Sequence, residues 1–193
     1  MVSTASADQK MGSDPIFDRI PVVDAELVAD RESQRDPALA SLWAALEDVK
    51  DPEIPVISVR ELGVLRRLER IKDGICVTIT PTWSGCPAMH TMEVDIRARL
   101  ASLGVEHVQV RTRLGPAWTT DWISESARES LRAFGIAPPA RTSGDPLAED
   151  PEPRCPHCGS AGTRRVSEFG STACKALWQC RACGEPFDAF KRI

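Results

Sequence analysis

The stretch VLRRLERIKDGICVTITPTWSGCPAMHTMEVDIRARLASLG, residues 64–104, decides the fold. Residues 64–71 and 75–80 flank Lys72-Asp73-Gly74, a turn with glycine where a positive φ costs least, and so predict a β-hairpin. Ile75, Val77 and Ile79 alternate with Cys76, Thr78 and Thr80, which turns Cys76 away from the apolar three and makes it a structural residue. Pro81 ends the strand, and residues 82–86 form a loop. A helix then runs from Pro87 to about Leu103, with Met89, Met92, Ile96, Leu100 and Leu103 along one face and Gly104 at its end.

Upstream, Asp36-Pro37 joins an N-cap to a proline at the first helical position. Leu39, Leu42, Trp43, Leu46 and Val49 recur at helical spacing, and Pro52 stops that helix near Asp51. Asp51-Pro52-Glu53-Ile54-Pro55 then reads as a rigid, extended segment with two acidic side chains. Downstream, residues 105–113 read as a strand with Val108 and Val110 inward. A helix from about Ser124 carries Ala127, Leu131 and Phe134; Gly135 closes it and Pro138-Pro139 bar a restart. The order α-β-β-α-β-α over residues 36–140 is an α/β sandwich, helices packed on a three-stranded sheet. Residues 1–35 are polar and acidic and read as a flexible tail, although Ile16, Phe17, Ile20, Val22 and Val23 form an apolar cluster able to dock. Residues 141–154, rich in proline and acid, read as a linker to a separate cysteine-rich module at 155–193.

The 193 residues are 42% hydrophobic and 27% charged, enough for a packed core without disulfides. A net charge of −4 argues against a general nucleic-acid binder. No apolar run reaches the ~20 residues that a bilayer requires. The N-terminus lacks the basic start and apolar stretch of a secretory signal, so the expected location is the cytoplasm. In that reducing compartment the presence of seven cysteines points to metal ligands or reactive thiols sooner than to disulfides.

Cys155-Pro-His-Cys158-Gly and Cys180-Arg-Ala-Cys183-Gly are two C-x-x-C-G knuckles. Their four thiolates suit tetrahedral zinc, with mononuclear iron or an iron–sulfur cluster as alternatives. Residues 163–169, 177–179 and 186–190 read as short strands of a zinc ribbon, whose small core a metal would complete. His157 reads as a spacer. Cys174 is a fifth thiol, either a buried small side chain or an additional ligand to transient metal.

In Thr82-Trp83-Ser84-Gly85-Cys86-Pro87, the cysteine stands at the expected N-cap of the helix, where free N–H groups favour its thiolate. An accessible, acidified thiol suits a soft metal or an iron–sulfur fragment; a plain buried cysteine is the alternative. Trp118-Thr119-Thr120-Asp121-Trp122 supplies either core anchors or a partner-binding surface. No histidine follows a glutamate by three residues, as a di-iron carboxylate site requires. There is also no Gly-x-x-x-x-Gly-Lys phosphate loop and no dinucleotide fingerprint. No catalytic residue is assigned.

Asp51–Pro55, Glu61-Leu-Gly63, Pro81–Ala88 and the helix after them resemble the MIP18-type domain, a family associated with iron–sulfur cluster assembly. Trp118–Ile123, Gly135–Pro139 and Phe169–Leu177 narrow the resemblance to the D subunits of phenylacetyl-CoA epoxidase systems, over about residues 38–193. Trp83 and Glu61 depart from the tyrosine and aspartate more common there. The resemblance implies an accessory maturation factor for iron–sulfur or iron cofactors in aerobic phenylacetate breakdown, not a catalyst. Cys86 would be the transfer thiol, with Asp51 and Glu53 as neighbouring acids. Implied partners are the di-iron or ferredoxin-type reductase subunit of the epoxidase and iron–sulfur assembly proteins, with a homodimer also allowed. A structural adaptor of the epoxidase complex and a zinc-ribbon regulator that binds nucleic acid are the competing expectations.

Overall fold

Asp24 opens the first helix, α1 (Ala25–Arg35), by accepting the Glu26 N–H at 2.8 Å. The structure, a computed structural model, describes residues 24–83, 85–141 and 151–192. For residues 24–35, α1 corrects the expected tail. Asp30, 1% exposed, binds Arg66 at 3.2 Å, Arg67 at 3.0 Å and Arg113 at 2.6 Å, so its charge is buried but paired. Ser33 Oγ donates to the Leu68 carbonyl at 2.7 Å and accepts the Leu68 N–H at 2.9 Å. The apolar cluster from Ile16 to Val23 and most of the expected linker lie outside the described residues.

Asp36 accepts the Ala38 N–H at 2.8 Å, the cap the sequence predicts. The expected single helix is three short pieces: a 3-10 turn at Pro37–Leu39, α2 (Ala40–Ala45) and a 3-10 turn at Leu46–Asp48. Their shared stripe of Leu39, Trp43, Leu46 and Val49 is buried as expected. Asp51–Pro55 is not extended. Asp51 Oδ1 accepts the N–H groups of Glu53 at 2.7 Å and Ile54 at 2.9 Å, curling the segment into a tight turn. The Asp51 N–H bonds the Ile57 carbonyl at 3.0 Å and closes it.

β1 (Leu65–Ile71) and β2 (Gly74–Ile79) form the expected antiparallel hairpin, closed by Lys72-Asp73. Gly74 opens β2 and supplies no positive φ. A Cβ there would lie 1.9 Å from the His107 carbonyl oxygen, which accepts the Ile75 N–H at 3.0 Å. The α3 helix (Ala88–Ala101) crosses over to β3 (Val108–Thr112), which pairs parallel to β2, giving sheet order β1-β2-β3. Met92, Ile96 and Leu100 bury one face of α3, while Leu103 lies beyond its end and is exposed. In α4 (Glu125–Ala133), Ser124 Oγ caps by accepting the Ala127 N–H at 3.1 Å, and Ala127 and Leu131 are buried. Phe134 is exposed, contrary to expectation.

β4 (Ile136–Ala137), β5 (Thr163–Ser167), β6 (Lys175–Cys180) and β7 (Pro186–Phe190) form a second sheet of order β4-β7-β6-β5. β4 precedes the linker, yet it pairs parallel with β7 through Ile136↔Asp188 and Ala137↔Ala189. Phe190, on β7, is buried in the core of the first domain with its ring centroid 5.9 Å from that of Trp118. The cysteine module, separate in sequence, is thereby joined to the sandwich in space.

Candidate functional site

In each C-terminal knuckle the glycine after the second cysteine reverses the chain: Gly159 has φ +76° and Gly184 φ +80°. Their N–H groups bond the carbonyls of Cys155 at 2.9 Å and Cys180 at 3.0 Å. Cys155 and Cys183 sulfurs lie 3.8 Å apart, Cys158 and Cys180 sulfurs 3.6 Å apart, and all four fall within 4.8 Å of one another. A tetrahedral zinc with Zn–S near 2.3 Å sets its sulfurs about 3.8 Å apart, so this donor set fits the ion. The Cys183 N–H, aided by that of Ala182, holds the Cys180 thiol down to about 6. Glu185 offers Cys183 an N–H, but desolvation and the neighbouring thiols push it up to about 12. The backbone thus favours a thiolate at Cys180, and a cation is needed to deprotonate the whole set. The His157 ring packs on Gly135, its Cε1 3.3 Å from where a Cβ would stand, and takes no place among the sulfurs.

A second cluster forms where α3 begins. Pro87, not Cys86, is the cap of α3. Cys86 sits one residue earlier, its N–H bonded to the Trp83 carbonyl at 3.0 Å and its sulfur receiving the Ala88 N–H. The expected acidified thiol is corrected. Burial pushes the Cys86 thiol above its ordinary value; the Ala88 N–H opposes this, and Glu53, Asp51 and Cys174 reinforce it. Burial also raises Asp51, against the N–H groups of Glu53 and Ile54 and the charge of Lys175.

Cys174 belongs to this cluster rather than to the ribbon sulfurs. Like Cys86 it is half-buried against the main core, and the four-thiol group does not include it. Burial raises its thiol, the Thr172 hydroxyl and Lys175 oppose, and Glu53 and Asp51 add to the rise. Lys175, 3% exposed with Nζ 3.7 Å from Asp188 Oδ2, is the group the sequence reading missed. Its signal was the stretch Gly170–Lys175, whose resemblance to a phosphate loop is superficial.

The tryptophan loop is mostly internal. Trp118 is buried and donates from Nε1 to the Leu62 carbonyl at 3.0 Å, and Thr120 is wholly buried. Trp122 is half-buried beneath the Arg66 guanidinium, 3.5 Å from its ring centroid, and its Cβ would clash with any side chain at Gly63. These three are anchors, one of the two roles the sequence leaves open for this loop. Thr119 accepts the Asp121 N–H at 3.4 Å, and Asp121 is exposed.

Two family models match the chain: the four ribbon cysteines and Cys174 lie in one, and Cys86, Asp51 and Glu53 lie in the other. Residues 39–111 match the family model described as iron–sulfur cluster assembly protein, and residues 139–191 match the PaaD zinc beta ribbon domain. A protein of Porphyromonas gingivalis (strain ATCC BAA-308 / W83) named "Fe-S protein maturation auxiliary factor" is 38% identical over 88 residues, 45% of this chain and 83% of its own length. The solved domain of unknown function DUF59 from Bacillus anthracis is 26% identical with a TM-score of 0.45, covering 48% of this chain and 89% of that one. Among the described residues no helix is long and apolar enough to cross a membrane. A protein of Escherichia coli (strain K12), named as the D subunit of a "Putative 1,2-phenylacetyl-CoA epoxidase", is 48% identical over 157 residues, 81% of this chain and 94% of its length. An identity of that depth over nearly a whole relative makes this chain a member of the family of 1,2-phenylacetyl-CoA epoxidase D subunits.

Proposed function

We propose that this chain is an accessory maturation factor that supplies iron or an iron–sulfur fragment to the metal-bearing subunits of a 1,2-phenylacetyl-CoA epoxidase in the cytoplasm. The observation that carries the reading is a half-buried thiol, Cys86, in the iron–sulfur assembly domain, whose anion is opposed by burial and by the charges of Glu53 and Asp51. The names of the two relatives support it, one an epoxidase D subunit and one a maturation factor.

Cys86 rests as a thiol because burial and the two acids disfavour its anion. Cargo iron bonds the sulfur as the S–H proton passes to solvent water, so the S–H bond breaks while the S–Fe bond forms, with no change of oxidation state. Zinc held by Cys155, Cys158, Cys180 and Cys183 is structural in this reading and keeps the ribbon folded against the sandwich. The clients are the di-iron or ferredoxin-type reductase subunit, fed from iron–sulfur assembly proteins. An epoxidase reconstituted from fully metallated subunits should turn over without this chain. Turnover that demands it stoichiometrically under those conditions contradicts maturation and favours an adaptor.

A further inference from the structure

We propose that β3 is the interface of a two-fold homodimer, in which the open edge of the first sheet pairs antiparallel with the same edge of a second copy of this chain. The inference goes beyond the maturation reading and does not depend on it.

The sheet order β1-β2-β3 leaves two edges, and the fold treats them differently. On β1, Ser33 takes both outward main-chain groups of Leu68, accepting its N–H at 2.9 Å and donating to its carbonyl at 2.7 Å. On β3, the His107 carbonyl accepts the Ile75 N–H at 3.0 Å, and the Arg113 N–H donates to the Ile79 carbonyl at 2.8 Å. The odd-numbered residues therefore bond β2, and the main-chain groups of Val108, Val110 and Thr112 point away from it. Among the described residues no element pairs with them. The side chains register the same gap. Ile75 and Val77 on β2 are 4% and 0% exposed, whereas their neighbours Val108 and Val110 pack on the same core and stay half-exposed. Nor does β3 carry a proline or a bulge that would blunt an open edge.

What fits this edge is the edge itself. A two-fold axis at Val110 sets Val110 against its own copy and Val108 against Thr112. The outward groups then meet as hydrogen-bonded pairs, ~six bonds in all. Val108 and Val110 of the two copies extend one apolar layer. Gln109 meets Arg111 of the second copy as a close, non-hydrogen-bonded pair, and Arg113 meets His107, so no two arginines face each other. Each arginine is already answered within its own chain, Arg111 by Glu69 at 3.5 Å and Arg113 by Asp30 at 2.6 Å, so charge does not oppose the pairing. One strand pair is a small interface, and the dimer is accordingly weak and concentration-dependent.

The test is sedimentation equilibrium of the full-length, zinc-loaded protein from micromolar to millimolar concentration. The expected result is a monomer that becomes a dimer as concentration rises. Thr112→Pro should stay monomeric: its N–H faces outward, so proline spares the pairing with β2 and removes a donor from the edge. Gln109→Glu sets a carboxylate opposite Arg111 on both sides of the axis and should tighten association by about two- to thirtyfold. Gln109→Arg should weaken it by a similar factor. Wild-type protein that stays monomeric throughout overturns the proposal and leaves the edge to another occupant. A dimer that all three substitutions leave unchanged overturns it too, since the interface then lies elsewhere. If Thr112→Pro does not fold, the two Gln109 variants decide, because that side chain is exposed. Opposite shifts support pairing through β3, and equal or absent shifts refute it.

Discussion

Phe190→Ala should loosen the ribbon from the sandwich without emptying the ribbon. Phe190 is 5% exposed and lies in the core of the first domain although it belongs to the last strand of the second sheet. Truncating a buried phenylalanine costs about 3–5 kcal/mol, of which the ring pair with Trp118 supplies roughly 0.5–1.5. At about 2–4 °C per kcal/mol for a chain of this size, the melting midpoint should fall by roughly 6–20 °C. The ribbon keeps its own small core of Ala137, Cys155, Cys180, Phe187 and Ala189 together with its four thiols, so zinc content should stay at one ion per chain. Thermal unfolding followed by circular dichroism, with metal analysis of the same sample, reads both outcomes. Phe169→Ala is the control. That ring is 60% exposed, and a surface change of this kind stays within about 0.5 kcal/mol. A Phe190→Ala midpoint no lower than that of Phe169→Ala would refute the docked arrangement.

Asp30→Asn should destabilise the fold by about 3–5 kcal/mol, because it leaves buried guanidinium groups without their shared carboxylate. Burial alone would raise Asp30, but Arg113, Arg66 and Arg67 hold it below 3.8. Its contribution is therefore complete above 3.8 and is lost as pH falls through the lower folded-state value; urea midpoints that keep the wild-type advantage in strong acid would contradict this. Cys158→Ser should release the ribbon metal and expose residues 151–192 to protease, and a metal-free ribbon that resists cleavage as well as wild type would show the ion to be dispensable. Cys86 should alkylate more slowly at neutral pH than an unperturbed thiol and accelerate beyond pH 9.0, whereas an inflection below neutrality would restore the acidified thiol.

The hairpin and α3 were legible because alternation and helical spacing are local, and the four-cysteine group because metal knuckles carry their geometry within a few residues. α1 was hidden for the opposite reason. It docks through Asp30 and Ser33, and their partners Arg66, Arg67, Leu68 and Arg113 are remote in sequence. Two prolines read as an extended segment, yet the Asp51 side chain takes two N–H groups and bends it. Gly85-Cys86-Pro87 marked the thiol, but it is raised first by burial and then by Glu53, Asp51 and Cys174, which only the tertiary fold delivers. Spacing also placed Phe134 and Leu103 on apolar faces whose helices end before those positions can be covered.

The most direct measurement is the iron and acid-labile sulfide content of epoxidase subunits purified from cells in which Cys86→Ser replaces the wild-type chain. Serine is nearly isosteric with cysteine, so the variant should fold and keep one ribbon zinc. Its clients should emerge metal-poor and inactive, and chemical reconstitution with iron and sulfide in vitro should restore them. Clients fully loaded and fully active beside a folded Cys86→Ser protein would contradict a transfer role for this thiol.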